Sequence, residues 1–296
     1  MIGYLALARE TFDVEFAESK FAKAKSLLIS LVPNAIGFDD LITNDDSAEN
    51  ALSFFNSNDC EKIFIFQTTF TDAKFLLNFA QTIKKPICIV SFPEPRTGGR
   101  LRLNSICGLN LGMHSLIKNS INAEFVIMDA DEKLNKSLFE GFISGNVIKE
   151  QHSWKEASLG NSQANFDYSI DKQTIGIIGT RPEGFDTCDY DSNEVTNKLN
   201  VSLVDLELEE LFDEAKLVET DTIVKTKNTV SSYLQGTEEL VQEELDKSLS
   251  IYHGLENLKD KHNLDAFAIR CWPETFTEYG CASCGPMAMM NENKVS

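Results

Sequence analysis

Long apolar runs are what this sequence most clearly lacks. No stretch approaches the ~18 consecutive apolar residues of a membrane-spanning helix, although 42% of the 296 residues are hydrophobic. The opening segment Met1-Ile2-Gly3-Tyr4-Leu5-Ala6-Leu7-Ala8-Arg9-Glu10 has no basic n-region and too short an apolar stretch for a secretion signal. A cytoplasmic, soluble protein is expected. Positive charge is also scarce: 27 Lys and Arg stand against 46 Asp and Glu, a net charge of −19. Phosphate backbones and anionic membranes call for clustered cations, so neither nucleic acid nor membrane is an expected partner. A neutral ligand such as a sugar is compatible with this charge. The seven cysteines are odd in number and irregular in spacing, which implies reduced thiols. Cys281-Ala282-Ser283-Cys284 is a lone CxxC, and zinc would need two more ligands where only Cys271 lies nearby. There is no GxxxxGK[ST], and no GxGxxG follows the first strand-like run, so nucleotide binding has little support.

What is present is alternation. Strand-like runs at Ile2–Ala8, Asn34–Phe38, Ile63–Phe66, Ile87–Phe92 and Glu124–Met128 are each followed by helix-like spacing, at 15–31, 47–55, 73–83, 105–118 and 132–150. Five strand–helix units in about 150 residues predict a doubly wound parallel sheet of the Rossmann or flavodoxin kind. A polar stretch over 151–171 reads as a linker. Beyond it, strand-like runs at Thr174–Gly179, Val201–Val204 and Ala266–Arg270 alternate with helices at 206–215 and 230–259. The expected fold is therefore α/β, with two Rossmann/flavodoxin-like parallel-sheet domains at 1–155 and 156–296, the second truncated.

In such sheets ligands bind beyond the carboxyl ends of the strands. Four loops there are unusual in composition. Arg9-Glu10-Thr11 places a guanidinium after the first strand, able to reach a hydroxyl or carboxylate. Gln67-Thr68-Thr69-Phe70-Thr71-Asp72 can hydrogen-bond a polyol, or cap the next helix, or both. Pro93–Asn110 carries Arg96, Arg100 and Arg102, Glu94 and the pair Gly98-Gly99, which permits close backbone approach. Gly179-Thr180-Arg181-Pro182-Glu183-Gly184-Phe185-Asp186 opens the second domain, and this loop, 179–186, is expected to face 93–102 across a cleft. After the last strand, Arg270-Cys271-Trp272-Pro273-Glu274 offers an indole face suited to stacking on a sugar ring, with burial in the core as the competing reading.

Four stretches taken together, FQTTFTDAKF (66–75), FPEPRTGGRLRLNSICGLNLG (92–112), IGIIGTRPEGFDTCDYD (175–191) and RCWPETFTEYGCASCGPMAMMNEN (270–293), resemble the L-fucose isomerase-like family, relatives of fucose and arabinose isomerases. Thr69-Phe70-Thr71-Asp72-Ala73-Lys74 is also similar to the TF-x-x-A-K element of arabinose isomerases. The resemblance implies two Rossmann-like domains followed by a β-barrel-like one, in a homo-oligomer whose neighbouring subunits complete each site. It implies interconversion of an aldose and a ketose through an enediol in carbohydrate metabolism. A divalent metal, usually manganese, would hold two adjacent sugar oxygens while carboxylates move the proton. The family's metal-binding Glu and Asp follow the segment that stands here as Cys271-Trp272-Pro273-Glu274, in a short Cys-Glu-x-Asp-like element that this chain does not contain. Glu292, set in Asn291-Glu292-Asn293, is not given that role. No catalytic residue and no metal ligand is therefore assigned. The expectation is an N-terminal fragment, inactive by itself, whose monosaccharide contacts come from Arg9, Arg96, Arg100, Arg181 and Trp272. The alternative is a non-catalytic sugar-binding or regulatory protein of the same two-domain architecture.

Overall fold

The computed structural model describes residues 1–97, 101–129, 136–146, 172–292 and 295. The chain divides into two compact units, the first Met1–Leu159 with Glu183–Cys188, the second Gly160–Pro182 with Asp189–Ser296.

The first unit is built on β1 (Ile2–Leu7), β2 (Ile36–Ile42), β3 (Lys62–Gln67), β4 (Ile87–Ser91) and β5 (Ala123–Ile127). They form one parallel sheet in the order β2-β1-β3-β4-β5. This is the flavodoxin-like order, whose direction of winding reverses between β1 and β3. Helices α1 (Val14–Leu31), α2 (Asp45–Ser57), α3 (Lys74–Ile83), α4 (Ser105–Lys118) and α5 (Lys136–Ser144) cover it. The run Ile63-Phe64-Ile65-Phe66 shows how the two faces are filled. Side chains alternate across a strand, so Phe64 and Phe66 join Tyr4, Phe21, Phe139 and Phe142 on one face. Ile63 and Ile65 join Leu5, Phe55, Phe79 and Leu116 on the other. Both faces being dry, the central strands read as continuous apolar runs.

β2 runs later than its expected Asn34–Phe38, because Asp39 and Asp40 lie exposed on what is the edge strand of the sheet. There Asp39 is spoken for by the Tyr4 hydroxyl at 2.8 Å and Lys25 at 3.0 Å.

The second unit holds β6 (Gln173–Ile178), β7 (Val201–Leu206) and β8 (Ala266–Ile269), parallel in the order β7-β6-β8. Around them run α6 (Ser192–Leu199), α7 (Leu208–Lys216), α8 (Thr220–Tyr233), α9 (Gln242–His262) and α10 (Cys284–Glu292). Its core joins Ile178 and Leu206 to Leu211, Phe212, Ile251, Leu255 and Leu258. At Gly254 a Cβ would sit 3.1 Å from the Ala215 amide nitrogen, so the missing side chain lets α9 lie close against α7. The single helix expected over 230–259 is two helices. Gly236 takes φ 83°, in the left-handed region, and breaks the chain between α8 and α9.

Among the described residues no helix is long and apolar enough to cross a membrane. The seven cysteines are free thiols. Burial pushes Cys281 up to about 11 and raises Cys88 further.

Candidate functional site

At the carboxyl ends of β1 and β2, beside the starts of α2 and α3, lies a cavity of about 330 Å³. Arg9, Thr43, Asn44, Thr71, Asp72 and Lys74 supply its polar lining, and Ile42, Leu52 and Phe75 its apolar part. The Arg9 guanidinium meets the Asp72 carboxylate at 2.5 Å, each side chain about a quarter exposed (24% and 23%). The second Asp72 oxygen accepts the Lys74 amide at 3.0 Å, so this carboxylate both fixes the arginine and satisfies the first amide of α3. Lys74 reaches Glu183 at 3.2 Å, and that hydrogen bond is the main reason its ammonium is held above its usual pKa. The site thus sets two cations among Asp45, Glu49 and Asp72, a mixture of donors and acceptors suited to a polyhydroxylated ligand.

The loop after β3 is tied down from within. Thr68 Oγ1 donates to the Leu7 carbonyl at 2.6 Å, and the Arg9 amide donates to Thr69 Oγ1 at 2.8 Å. Gln67, 1% exposed, donates from Nε2 to the Thr69 carbonyl at 2.7 Å and to Thr71 Oγ1 at 2.9 Å. Thr68 and Thr69 therefore position Arg9, while Thr71 and Asp72 face the cavity. Gly108 of α4 packs on this glutamine: a Cβ there would sit 2.9 Å from Gln67 Nε2.

The arginine-rich loop divides its work. Glu94 accepts the amides of Arg102, of Leu103 at 3.0 Å and of Asn104 at 2.9 Å, organising the entry to α4. Arg102 grips Asp13 through Nε at 2.8 Å and Nη2 at 2.7 Å, and its guanidinium lies over the Phe16 ring at 3.8 Å. Asp13 in turn caps α1 by accepting the Phe16 amide at 3.0 Å. Arg96 is exposed, and Arg100 lies outside the described residues. Of the expected cleft-lining loop 179–186, residues 183–186 belong to the first unit, where Ala73 N donates to the Gly184 carbonyl at 3.1 Å and Phe70 packs on Phe185.

In the second unit Arg181 is exposed after β6. The arginine that organises this end is Arg270. It pairs in fork fashion with Glu274, Nε to Oε2 at 2.8 Å, and donates to the Thr180 carbonyl and hydroxyl at 3.3 and 3.2 Å. Gly179 has φ 76°, and a Cβ there would lie 3.0 Å from Arg270 Cβ. Trp272 is half-buried and meets Phe276, itself exposed, edge-on at 5.5 Å. Glu94, Arg102 and Arg270 were visible as charged residues at strand ends; that each is occupied in holding backbone or another side chain is a tertiary fact. Among the described residues no group of three or more His, Cys, Asp or Glu is placed to hold a metal ion.

Residues 3–143 match the family described as fucose/sulfoquinovose isomerase, N-terminal domain. The chain is 27% identical over 294 residues to a sulfoquinovose isomerase of Priestia megaterium, covering 98% of this chain and 61% of that protein. It is 26% identical over 295 residues to one of Alkalicoccus urumqiensis (99% and 61%) and 23% identical over 299 residues to one of Clostridium sp. (100% and 62%). The chain thus spans about three fifths of the length of the curated relatives it matches. The family match covers the first sheet and the likeness to these isomerases runs on through the second, so along its length the chain is similar to the fucose isomerase-like family.

Proposed function

We propose that this chain is the sugar-binding, N-terminal portion of an aldose–ketose isomerase, with sulfoquinovose, a hexose bearing a sulfonate, as the first substrate to test. The observation that carries the reading is that the likeness to sulfoquinovose isomerases runs through both units, over 98% of the chain. Isomerisation moves one hydrogen between adjacent sugar carbons through an enediol, so it needs a sugar held in one orientation and groups that take and return a proton. The first task suits the cavity at the end of β1 and β2. Arg9, held in place by Asp72, and Lys74 can donate to sugar oxygens or a sulfonate, and Thr71 and Asn44 can complete the hydroxyl contacts. Arg96, Arg100, Arg181 and Trp272 are further proposed contacts, in an oligomer whose neighbouring subunits complete each site.

A divalent metal such as manganese would, when bound, polarise the sugar's carbonyl and hydroxyl oxygens. The described residues do not fit it, since no ligand group converges among them. Its ligands are proposed to lie outside these residues, and no step is routed through it here.

The test is to incubate the purified 296-residue protein with sulfoquinovose, L-fucose and L-arabinose, with and without Mn²⁺, in deuterated buffer. Ketose formation and deuterium uptake at the sugar carbon are read by NMR. The same assay is run on a protein extended over the relatives' full length. The short chain is expected to bind sugar without turnover and the longer one to isomerise it. Turnover by the short chain alone overturns the incomplete-site reading; binding without turnover in both favours a non-catalytic sugar-binding protein.

A further inference from the structure

The second unit holds a hydrogen-bonded chain of side chains with no part in the proposed sugar contacts. His253 and Glu256 lie three residues apart on α9, a spacing that puts them on one helix face. His253 Nδ1 is 2.8 Å from Glu256 Oε2, and His253 Nε2 is 2.8 Å from Thr226 Oγ1 on α8. The other Glu256 oxygen accepts the Tyr252 hydroxyl at 2.7 Å. With Glu256 accepting from Nδ1–H, the neutral imidazole presents Nε2 as an acceptor, and the Thr226 hydroxyl donates to it. A hydroxyl, a base within hydrogen-bond reach of it, and a carboxylate orienting that base are the three parts of an activated nucleophile, and such sets are recognised by geometry rather than by sequence position. The further feature is a cavity of about 410 Å³ onto which Thr226, His253 and Glu256 all open, together with Lys225, Tyr233 and Met289. The His253 side chain is 17% exposed, sheltered yet reachable from that cavity.

We propose that Thr226 is a nucleophilic hydroxyl, activated by His253 and Glu256, that accepts the acyl group of a small activated ester in this cavity. Oγ1 attacks the carbonyl carbon as its proton passes to His253 Nε2. The tetrahedral intermediate collapses with cleavage of the bond to the leaving alcohol, which departs with the proton from Nε2, or as a stable phenolate with that proton lost from Nε2 to solvent. A water molecule then repeats the sequence, its proton going to Nε2, to release the carboxylic acid and restore the hydroxyl. Lys225 supplies a cation on the cavity wall for the developing oxyanion. Met289 and Tyr233 give a short acyl chain an apolar surface.

The experiment uses p-nitrophenyl acetate with the purified protein, following p-nitrophenolate release and mapping the acetyl group by peptide mass spectrometry. Acetylation is expected on the Thr226 peptide. His253→Asn is expected to slow that labelling about 100-fold, the usual weight of a positioned general base. Thr226→Ser should keep the adduct at that position and Thr226→Val should abolish it there, with circular dichroism confirming that each variant is folded. Acetyl groups found only on lysines, cysteines or the amino terminus would overturn the proposal. So would labelling of Thr226 at an unchanged rate in folded His253→Asn.

Discussion

The two units use the same strand–helix alternation but bury it differently. In the first, β1 and β4 are buried at every position and β3 at all but Lys62, with phenylalanines on one face and mainly aliphatics on the other. In the second, β6 buries only Gly176 and Ile178, and β8 buries none of its residues. There the burial lies in the helix pair α7–α9, drawn together at Gly254. A sheet sealed on both faces fixes its strand ends, and the cavity around Arg9 stands on such ends. The second unit holds its polar groups on helices and on the loops that Arg270 ties.

The largest expected effect follows from that contrast. Phe66→Ala, at a fully buried position of β3, should cost about 3–5 kcal/mol. Ile177→Ala, on half-buried β6, should cost about 1–2 kcal/mol. Urea unfolding with hydrogen exchange read separately for each sheet measures both, and equal costs would break the comparison.

A middle-sized effect is expected at the seam between α4 and the cavity. Gly108→Ala drives a methyl against the buried Gln67 side chain, and overpacking of this kind costs about 1–3 kcal/mol. Because Gln67 holds Thr69 and Thr71, exchange of the 67–72 amides should quicken while the second unit's sheet is unaffected. Protection unchanged at 67–72 would disconnect α4 from the site.

The smallest effect concerns helix starts. α1 and α2 are capped by Asp13 and Asn44 side chains, whereas α7, α8 and α9 begin without a side-chain cap. The Phe16 amide, and after it Arg102, hold the Asp13 carboxyl below its usual pKa. Its contribution is therefore complete above the unfolded carboxylate pKa and is lost as pH falls through the lower folded value. Amide exchange in the first turn of α1 should speed up on acidification through that range, and Asp13→Asn should flatten the dependence.

What was legible in the sequence was whatever burial wrote in continuous apolar letters. Ile63–Phe66 and Ile87–Val90 could only be strands covered on both faces, and they fixed the doubly wound reading of the first unit. β2 was displaced because an edge strand tolerates Asp39 and Asp40 in its middle, where polarity reads as loop. The division of α8 from α9 was signalled by Gly236, but the apolar spacing running past it is satisfied by packing the two helices against each other. α6 was not among the expected helices, although Asp191 caps it by accepting the amides of Asn193 and Glu194. In the site, Arg9 stood at the end of β1 as its position promised. The partners that turn Glu94, Arg102 and Arg270 into structural clasps come from tens of residues away in two of the three cases, and no local pattern announces them.

The central claim is that the Arg9–Asp72 cavity holds a sugar. Amide chemical-shift mapping of the isotope-labelled protein, titrated with sulfoquinovose, with L-fucose and with glucose as a comparison, addresses it most directly. The account predicts saturable shifts at Arg9, Thr43, Asn44, Thr71, Asp72 and Lys74 for at least one of the first two sugars, lost in Arg9→Ala with the fold intact. Saturable shifts confined to residues away from this cavity, or undiminished in Arg9→Ala, would contradict it.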